Sequence, residues 1–293
     1  KLITDYLQNK PMNHSFLKGI SSIVNETNIT NELKAALITI PSSDQAISHI
    51  NETLTKVDPE AVEIAREAIE VALAKELEKN IQALYDEIRI DESLETGRPS
   101  SGMRKLKNRY LDIITFLEPS AISAKIAFQS PNMTQKLHAL KQLVKTGNGE
   151  PFLHIFFNDW RHEPLVIDKW FAIQATFYPS ELIMDHILTL SKHPSFRWQN
   201  PNRLRSLIGA FAFNNMRGFH KENGDGYRLV ADWIKKIDPH NPQMAARLCT
   251  SFEVIKKLND KRQILIRETL LKIKLTPKLS KDTSEIIMKL LEK

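Results

Sequence analysis

Apolar residues along the chain recur at three- and four-residue intervals, and the alternation expected of half-buried strands is almost absent. The clearest run is Ala65, Ile69, Leu73, Leu77, Ile81, Leu84 and Ile88. It follows Asp58-Pro59-Glu60, where Asp58 can cap the first amides and Pro59 suits the first helical position. Glu60, Glu63 and Glu67 lie near the positive end of the dipole. This spacing predicts one long helix from Pro59 to about Arg89. Ser130-Pro131 predicts a second start, followed by Met133, Leu137, Leu140 and Val144. Further helices are expected over 31–40, 103–117, 165–176, 180–191, 225–237, 260–274 and 280–291. The fold class is therefore all-α.

Breaks are few. The stretch 95–102 holds Gly97, Arg98, Pro99 and two serines, and it reads as a loop between helical layers within a single domain over 1–293. Gly147-Asn148-Gly149 marks a second break, and Gly224-Asp225-Gly226 a turn. An internal echo links Asn200-Pro201-Asn202-Arg203-Leu204-Arg205-Ser206-Leu207 with Asn241-Pro242-Gln243-Met244-Ala245-Ala246-Arg247-Leu248. The offset, roughly 41 residues, falls in the range of HEAT and armadillo repeats. A superhelical stack of helix pairs, with a concave face, is the expected architecture.

Composition narrows the function classes. The 293 residues are 42% hydrophobic and 26% charged, ample for a core and ordinary for a globular chain. No apolar run reaches the length of a membrane span. A start at Lys1 rather than Met suggests a piece of something longer. Cys249 is the only cysteine, so an intrachain disulfide is excluded, and a reducing, cytoplasmic setting is expected. Sequons at Asn13, Asn25, Asn28, Asn51 and Asn132 are the kind that arise by chance. The net charge is +6. From Ser251 to Lys293, nine Lys and two Arg face four Glu and two Asp, a balance of +5. A smaller basic group is Arg98, Arg104, Lys105, Lys107 and Arg109. Without aromatic platforms or a nucleic-acid motif, these read as solvated helix faces rather than a nucleic-acid surface.

Complete catalytic constellations are missing from the sequence. His162-Glu163-Pro164-Leu165-Val166 opens like H-E-x-x-H but lacks the second His, and Pro164 would disrupt the helix that motif needs. The nine His residues form no ligand-spaced pair, and there is no phosphate loop or G-x-S-x-G elbow. Arg203 and Arg205 fall in the first turns after Asn200-Pro201, an unfavourable place for a cation by the dipole. An acidic neighbour or an anionic ligand is expected to compensate.

Five segments carry a resemblance: Asp168–Ala175 (D-K-W-F-A-I-Q-A), Asn200–Phe211, Phe219–Tyr227 (F-H-x(4)-G-D-G-Y), Asn241–Leu248 and Asp260–Gln263 (D-K-R-Q). In order and spacing they resemble the C-terminal domain of the bacterial aminopeptidase N family, and the likeness extends more faintly through Thr39-Ile40-Pro41-Ser42 and Val57-Asp58-Pro59. The resemblance implies a zinc metallopeptidase of the gluzincin group as parent, which removes N-terminal residues from peptides. Its zinc site would lie in a catalytic domain of the same polypeptide that this chain lacks. This chain alone would hold no cofactor and be inactive. Its implied role is a cap that encloses the active-site cavity and limits entry to peptides. By motif, Arg205, Gln243 and Arg247 would face that cavity. The arginines would meet the distal part of a peptide, including a C-terminal carboxylate, and Gln243 would lie near the catalytic-domain residues that hold the substrate's first side chain. The alternative for both arginines is a structural salt bridge. The alternative for the whole chain is a free-standing solenoid that binds a protein or an anionic partner.

Overall fold

The computed structural model describes residues 1–50, 56–88 and 101–292. Its helices, in chain order, are α1 (Leu2–Leu7), α2 (His14–Asn25), α3 (Asn31–Leu37), α4 (Ser43–Ile50), α5 (Pro59–Leu77), α6 (Ile81–Glu87) and α7 (Ser101–Leu117). Then come α8 (Ile122–Ala127), α9 (Met133–Lys145), α10 (Glu150–Trp160), α11 (Pro164–Phe177), α12 (Ile183–Ser191) and α13 (Pro201–Leu204). A π-helical turn over Arg205–Gly209 leads into α14 (Ala210–Asn214). The rest are α15 (Met216–Phe219), α16 (Asp225–Ile237), α17 (Pro242–Cys249), a 3-10 turn over Thr250–Lys257, α18 (Asp260–Lys274) and α19 (Lys281–Glu292). Among the described residues the one extended pairing is an isolated parallel bridge between Val57 and Leu258. The all-α class expected from the periodicity is what is observed.

The helix expected to run from Pro59 to Arg89 is instead two. Regular bonding stops at Leu77, the Asn80 amide donates to the Leu77 carbonyl at 3.1 Å, and α6 restarts at Ile81. The apolar stripe continues across the break because Ile69, Leu73, Leu77 and Ile81 are all buried. Periodicity alone therefore could not reveal a turn that keeps its phase. Asp58 does cap as expected: its Oδ1 accepts from the Glu60 amide at 2.9 Å. At the second start, however, the cap is Asn132 rather than Ser130. Asn132 Oδ1 accepts from Thr134 and Gln135, and Pro131 stays in the preceding loop. Asn13, another sequon residue, likewise caps α2.

The chain forms two compact units, residues 1–42 with 64–159 and residues 43–63 with 160–293. Most of the loop expected at 95–102 lies outside the described residues, and Ser101 and Gly102 already belong to α7.

In the first unit the core gathers Leu17, Ile20, Val24, Ile38, Leu73, Leu77, Leu106, Tyr110 and Ile113. The Arg109 guanidinium lies inside it, 6% exposed, with Nη1 and Nη2 on the Glu70 carboxylate at 3.2 and 2.8 Å and Nε on the Ile38 carbonyl at 2.9 Å. Burial of a charge is tolerable only with such complete pairing. Lys107 donates to the Ile88 carbonyl at 2.6 Å and covers the Tyr85 ring, and Lys105 is 4.0 Å from Glu32. Of the basic group read from the sequence, Lys105, Lys107 and Arg109 thus have partners within the unit, and Arg98 lies outside the described residues. Asp112 is a local hub, accepting from His138 at 2.9 Å and from Gln142, with Lys141 at 3.5 Å.

In the second unit an aromatic ladder of edge-on and tilted contacts runs from Trp170 through Phe171 and Phe196 to Trp233. A buried polar hub sits nearby in sequence terms. Arg262, 1% exposed, donates through Nη1 to Asp58 at 2.9 Å and through Nε to the His220 carbonyl at 2.8 Å. The His220 ring meets the Tyr227 hydroxyl at 2.7 Å. The turn between them is closed by Gly224, at φ 75°, and by Gly226, where a Cβ would come within 2.3 Å of the Phe219 carbonyl oxygen. Three resemblance segments, V-D-P, F-H-x(4)-G-D-G-Y and D-K-R-Q, therefore meet at one structural hub.

Candidate functional site

The two echoing segments start their helices in the same way. Asn200 Oδ1 accepts from the Asn202 and Arg203 amides at 2.9 and 3.4 Å, Asn241 Oδ1 accepts from the Met244 amide at 3.0 Å, and each is followed by a proline in the first turn. Both then leave regular α geometry. The first passes into the π turn at Arg205–Gly209, and the second into the 3-10 turn at Thr250. π turns inside α-helices recur at functional sites because they re-aim side chains.

A groove with a volume of about 660 Å³ lies beside these elements in the second unit. That is within the usual size range of ligand pockets. One wall is α11, which presents Leu165, Asp168, Lys169 and Ala172, positions that share a helix face. The π turn and its flanking helices supply Asn202, Leu204, Arg205, Ser206, Gly209, Ala210, Phe213 and Asn214. From α17 come Met244, Arg247 and Leu248.

The electrostatics are asymmetric. Asp168 is the one carboxylate in the lining, and Arg203 holds it through Nε at 2.6 Å. The same guanidinium donates to the Ser195 carbonyl at 2.7 Å and the Pro164 carbonyl at 3.2 Å, and stacks 5.1 Å from the Phe171 ring centre. Arg203 is therefore a structural cation, and Asp168 is the acidic neighbour that its early helix position called for. Arg205 has no such neighbour. It is exposed and donates to the Asn202 amide oxygen at 3.2 Å. Arg247 is exposed, 5.5 Å from the Phe213 ring centre. Among the described residues neither arginine pairs with a carboxylate. Gln243 is exposed one turn before Arg247 on α17 and is not among the lining residues.

Sequence reasoning passed over Lys169 and the π turn. Lys169 stood in a segment read as a buried aromatic helix, and Trp170, Phe171, Gln174 and Ala175 are indeed buried; Lys169 projects from the opposite, exposed face. No sequence signal marks the π turn. His162 and Glu163 lie in the turn before α11, with His162 accepting from Arg161 at 3.3 Å, and Pro164, expected to disrupt a helix, instead opens α11 at its first position.

Several buried or partly buried groups are held in one protonation state. Burial, then the charge of Arg262, hold the His220 imidazole down to about 3. Burial alone brings His186 down to about 4, where it stacks on Tyr178 with ring centres 3.5 Å apart. Burial, then the Asp238 carboxylate, push the Cys249 thiol up to about 12. Burial acts to raise the Asp112 carboxyl, but the hydrogen bond and charge of His138, with Lys141 and Arg109, carry it below the carboxylate range. Among the described residues no three His, Cys, Asp or Glu side chains come together to hold a metal ion. The residues described here thus do not fit a zinc site. Nor is any described helix long and apolar enough to cross a membrane.

Comparison with known proteins agrees with this architecture. The chain is 32% identical over 279 residues to aminopeptidase N of Haemophilus influenzae, covering 94% of this chain and 31% of that protein. It is 33% identical over 264 residues to aminopeptidase N of Escherichia coli, covering 88% and 30%. It thus spans about a third of the length of these relatives. Among solved structures it is similar to Legionella pneumophila aminopeptidase A, crystallised in complex with aspartic acid, with a TM-score of 0.87, 27% identity and coverage of 99% of this chain and 35% of that one. A family model described as a domain of unknown function with ARM repeats, DUF3458_C, matches residues 1–292. The chain therefore belongs to the DUF3458_C family of ARM-repeat domains.

Proposed function

We propose that this chain is one domain of a longer zinc aminopeptidase, and that it encloses the peptide cavity formed with the catalytic domain of the same polypeptide. Zinc and bond cleavage belong to that other domain. This one confines the substrate and holds its distal end. The observation that carries the reading is the groove in which Arg205 and Arg247 stand without carboxylate partners among the described residues, in a chain similar to a third of aminopeptidase N.

Guanidinium groups suit this task. Each has five donors in a fixed fork, remains charged at all working pH, and can engage a peptide carbonyl or a terminal carboxylate. Such contacts lie beyond the scissile bond and add binding energy for peptides rather than for single-residue amides. Gln243, on the same helix as Arg247, is assigned to the substrate's first residues. The location that fits this function is the cytoplasm.

The test is direct. The full-length protein should remove N-terminal residues from peptides in a chelator-sensitive reaction. The 293-residue chain alone should bind no stoichiometric zinc and turn over no aminoacyl amide. Chelator-sensitive turnover by the purified chain would overturn the assignment of the chemistry to another domain. A complete reading frame of about this length would favour a free-standing scaffold.

A further inference from the structure

The second unit holds a strap drawn from elsewhere in the chain. Residues 43–63 belong to that unit, although the chain on either side of them belongs to the first. Within this strap Val57 pairs with the run that joins the 3-10 turn to α18. Its amide donates to the Lys257 carbonyl at 2.9 Å, and its carbonyl accepts from the Asn259 amide at 3.0 Å. The two bonds straddle Leu258, and the Val57 and Leu258 side chains are both buried. This is strand addition reduced to one residue. Asp58 supplies charge: its Oδ2 accepts from Arg262 Nη1 at 2.9 Å and from Asn259 Nδ2 at 3.2 Å. Asn259 in turn caps α18, its Oδ1 accepting from the Arg262 amide at 3.1 Å.

The strap is lightly sealed on its outer side, where the Asp58 side chain is 40% exposed, whereas Arg262 is fully covered. If the strap left alone, the guanidinium would stay inside without Asp58 or Glu60, which lies 3.9 Å from its Nη2. A buried cation stripped of its carboxylates is strongly unfavourable. Lifting the strap is therefore easiest when the first turn of α18 lifts with it, because the same step frees the Asn259 cap and lets water reach Arg262. On the other side of Leu258, Lys257 ends the 3-10 turn, which begins at Thr250 directly after Cys249 closes α17. We propose that Val57-Asp58-Pro59 is a releasable latch docked on residues 257–262, and that its release opens the 3-10 turn and the first turn of α18 as one unit, short of global unfolding. The opening reaches the end of α17, the helix that carries Arg247, so a distant part of the sequence sets one wall of the groove. The latch acts whatever the groove binds.

Amide hydrogen exchange by NMR on the 293-residue chain, in water and in low urea, tests the latch. The amides of Val57, Asn259 and Arg262 should share one protection factor, at least about tenfold below that of Ile234, which is buried in α16. That shared protection should change little in low urea, whereas Ile234 should lose protection steeply, because urea acts in proportion to the surface exposed. Asp58→Asn keeps an oxygen to cap the Glu60 amide but turns an NH2 group toward Arg262 and Asn259. It should lower the three protections together by at least about tenfold, since a charged hydrogen bond is lost. The buried Cys249 gives a second readout: maleimide should reach it at least about tenfold faster in Asp58→Asn than in wild type, again with little dependence on low urea. Three unequal protections, exchange of all three only together with Ile234, a steep urea dependence, or unchanged Cys249 labelling would each overturn the latch and leave Asp58 and Arg262 as scaffolding. Should Asp58→Asn fail to fold, the wild-type protections and their urea dependence decide.

Discussion

Arg203 donates to Asp168 at 2.6 Å, and this single pair decides the sign of the groove. It consumes the one lining carboxylate, so that Lys169, Arg205 and Arg247 line the groove without a carboxylate partner among the described residues. Two arginines two positions apart, Arg203 in α13 and Arg205 opening the π turn, thereby divide the work, one into scaffolding and the other onto the surface.

Arg203 should accordingly matter for stability more than for charge. Its side chain is 10% exposed and bonds two backbone carbonyls besides Asp168. Arg203→Met leaves Asp168 without its partner and should cost about 3 kcal/mol, in the range found for breaking a buried pair. Chemical denaturation would measure it. The double variant with Asp168→Asn should recover part of the loss, because the stranded charge is gone.

Arg262 should be at least as sensitive. It is 1% exposed, and its bonds tie the start of α5 to the His220 carbonyl and α18. Arg262→Met should destabilise by about 3 kcal/mol or more, while Lys261→Met, on a fully exposed pair with Glu222 at 2.7 Å, should leave stability essentially unchanged. Comparable effects from the two would contradict the hub.

How much of this was legible beforehand follows from what each signal encodes. The α16 and α18 limits were read from the sequence to the residue, because Asp225 and Asp260 open apolar runs after clear turn residues. The helix start at Asn200-Pro201 was visible for the same reason. The break at Glu78–Asn80 was not, since it preserves the phase of the stripe. Charge roles were the least legible. Arg109, Arg203 and Arg262 look like surface cations in one dimension, yet each is buried against a carboxylate 35 or more residues away in sequence. Arg205 and Arg247 line the groove, Gln243 does not, and Lys169 was hidden within an aromatic motif.

Acid should weaken the fold before any carboxylate titrates in the ordinary range. His220 and His186 are held neutral, at about 3 and about 4, whereas the unfolded chain takes up those protons near 6.5. Between these limits the unfolded state binds more protons, so stability is complete above pH 6.5 and declines as pH falls toward 4. Melting temperature against pH should show that slope, and His220→Gln should flatten it. A flat profile down to pH 4 would contradict the buried neutral imidazoles.

Cys249 should be inert in the folded chain. The residue is 0% exposed and its thiol is pushed up to about 12, first by burial. The thiolate that reacts with alkylating agents is therefore both scarce and covered. Maleimide labelling monitored by mass should be absent natively and complete in denaturant. Rapid native labelling would show that α17 opens easily.

The most direct measurement compares two substrates in the full-length protein. For wild type, Arg205→Ala and Arg247→Ala, kcat/KM is determined for a tetrapeptide and for a single-residue chromogenic amide, with a melting curve for each variant. The expected result is a loss of about tenfold or more on the tetrapeptide, little change on the amide and an unaltered melting temperature. Equal losses on both substrates, together with a lowered melting temperature, would assign these arginines to scaffolding and contradict the peptide-holding groove.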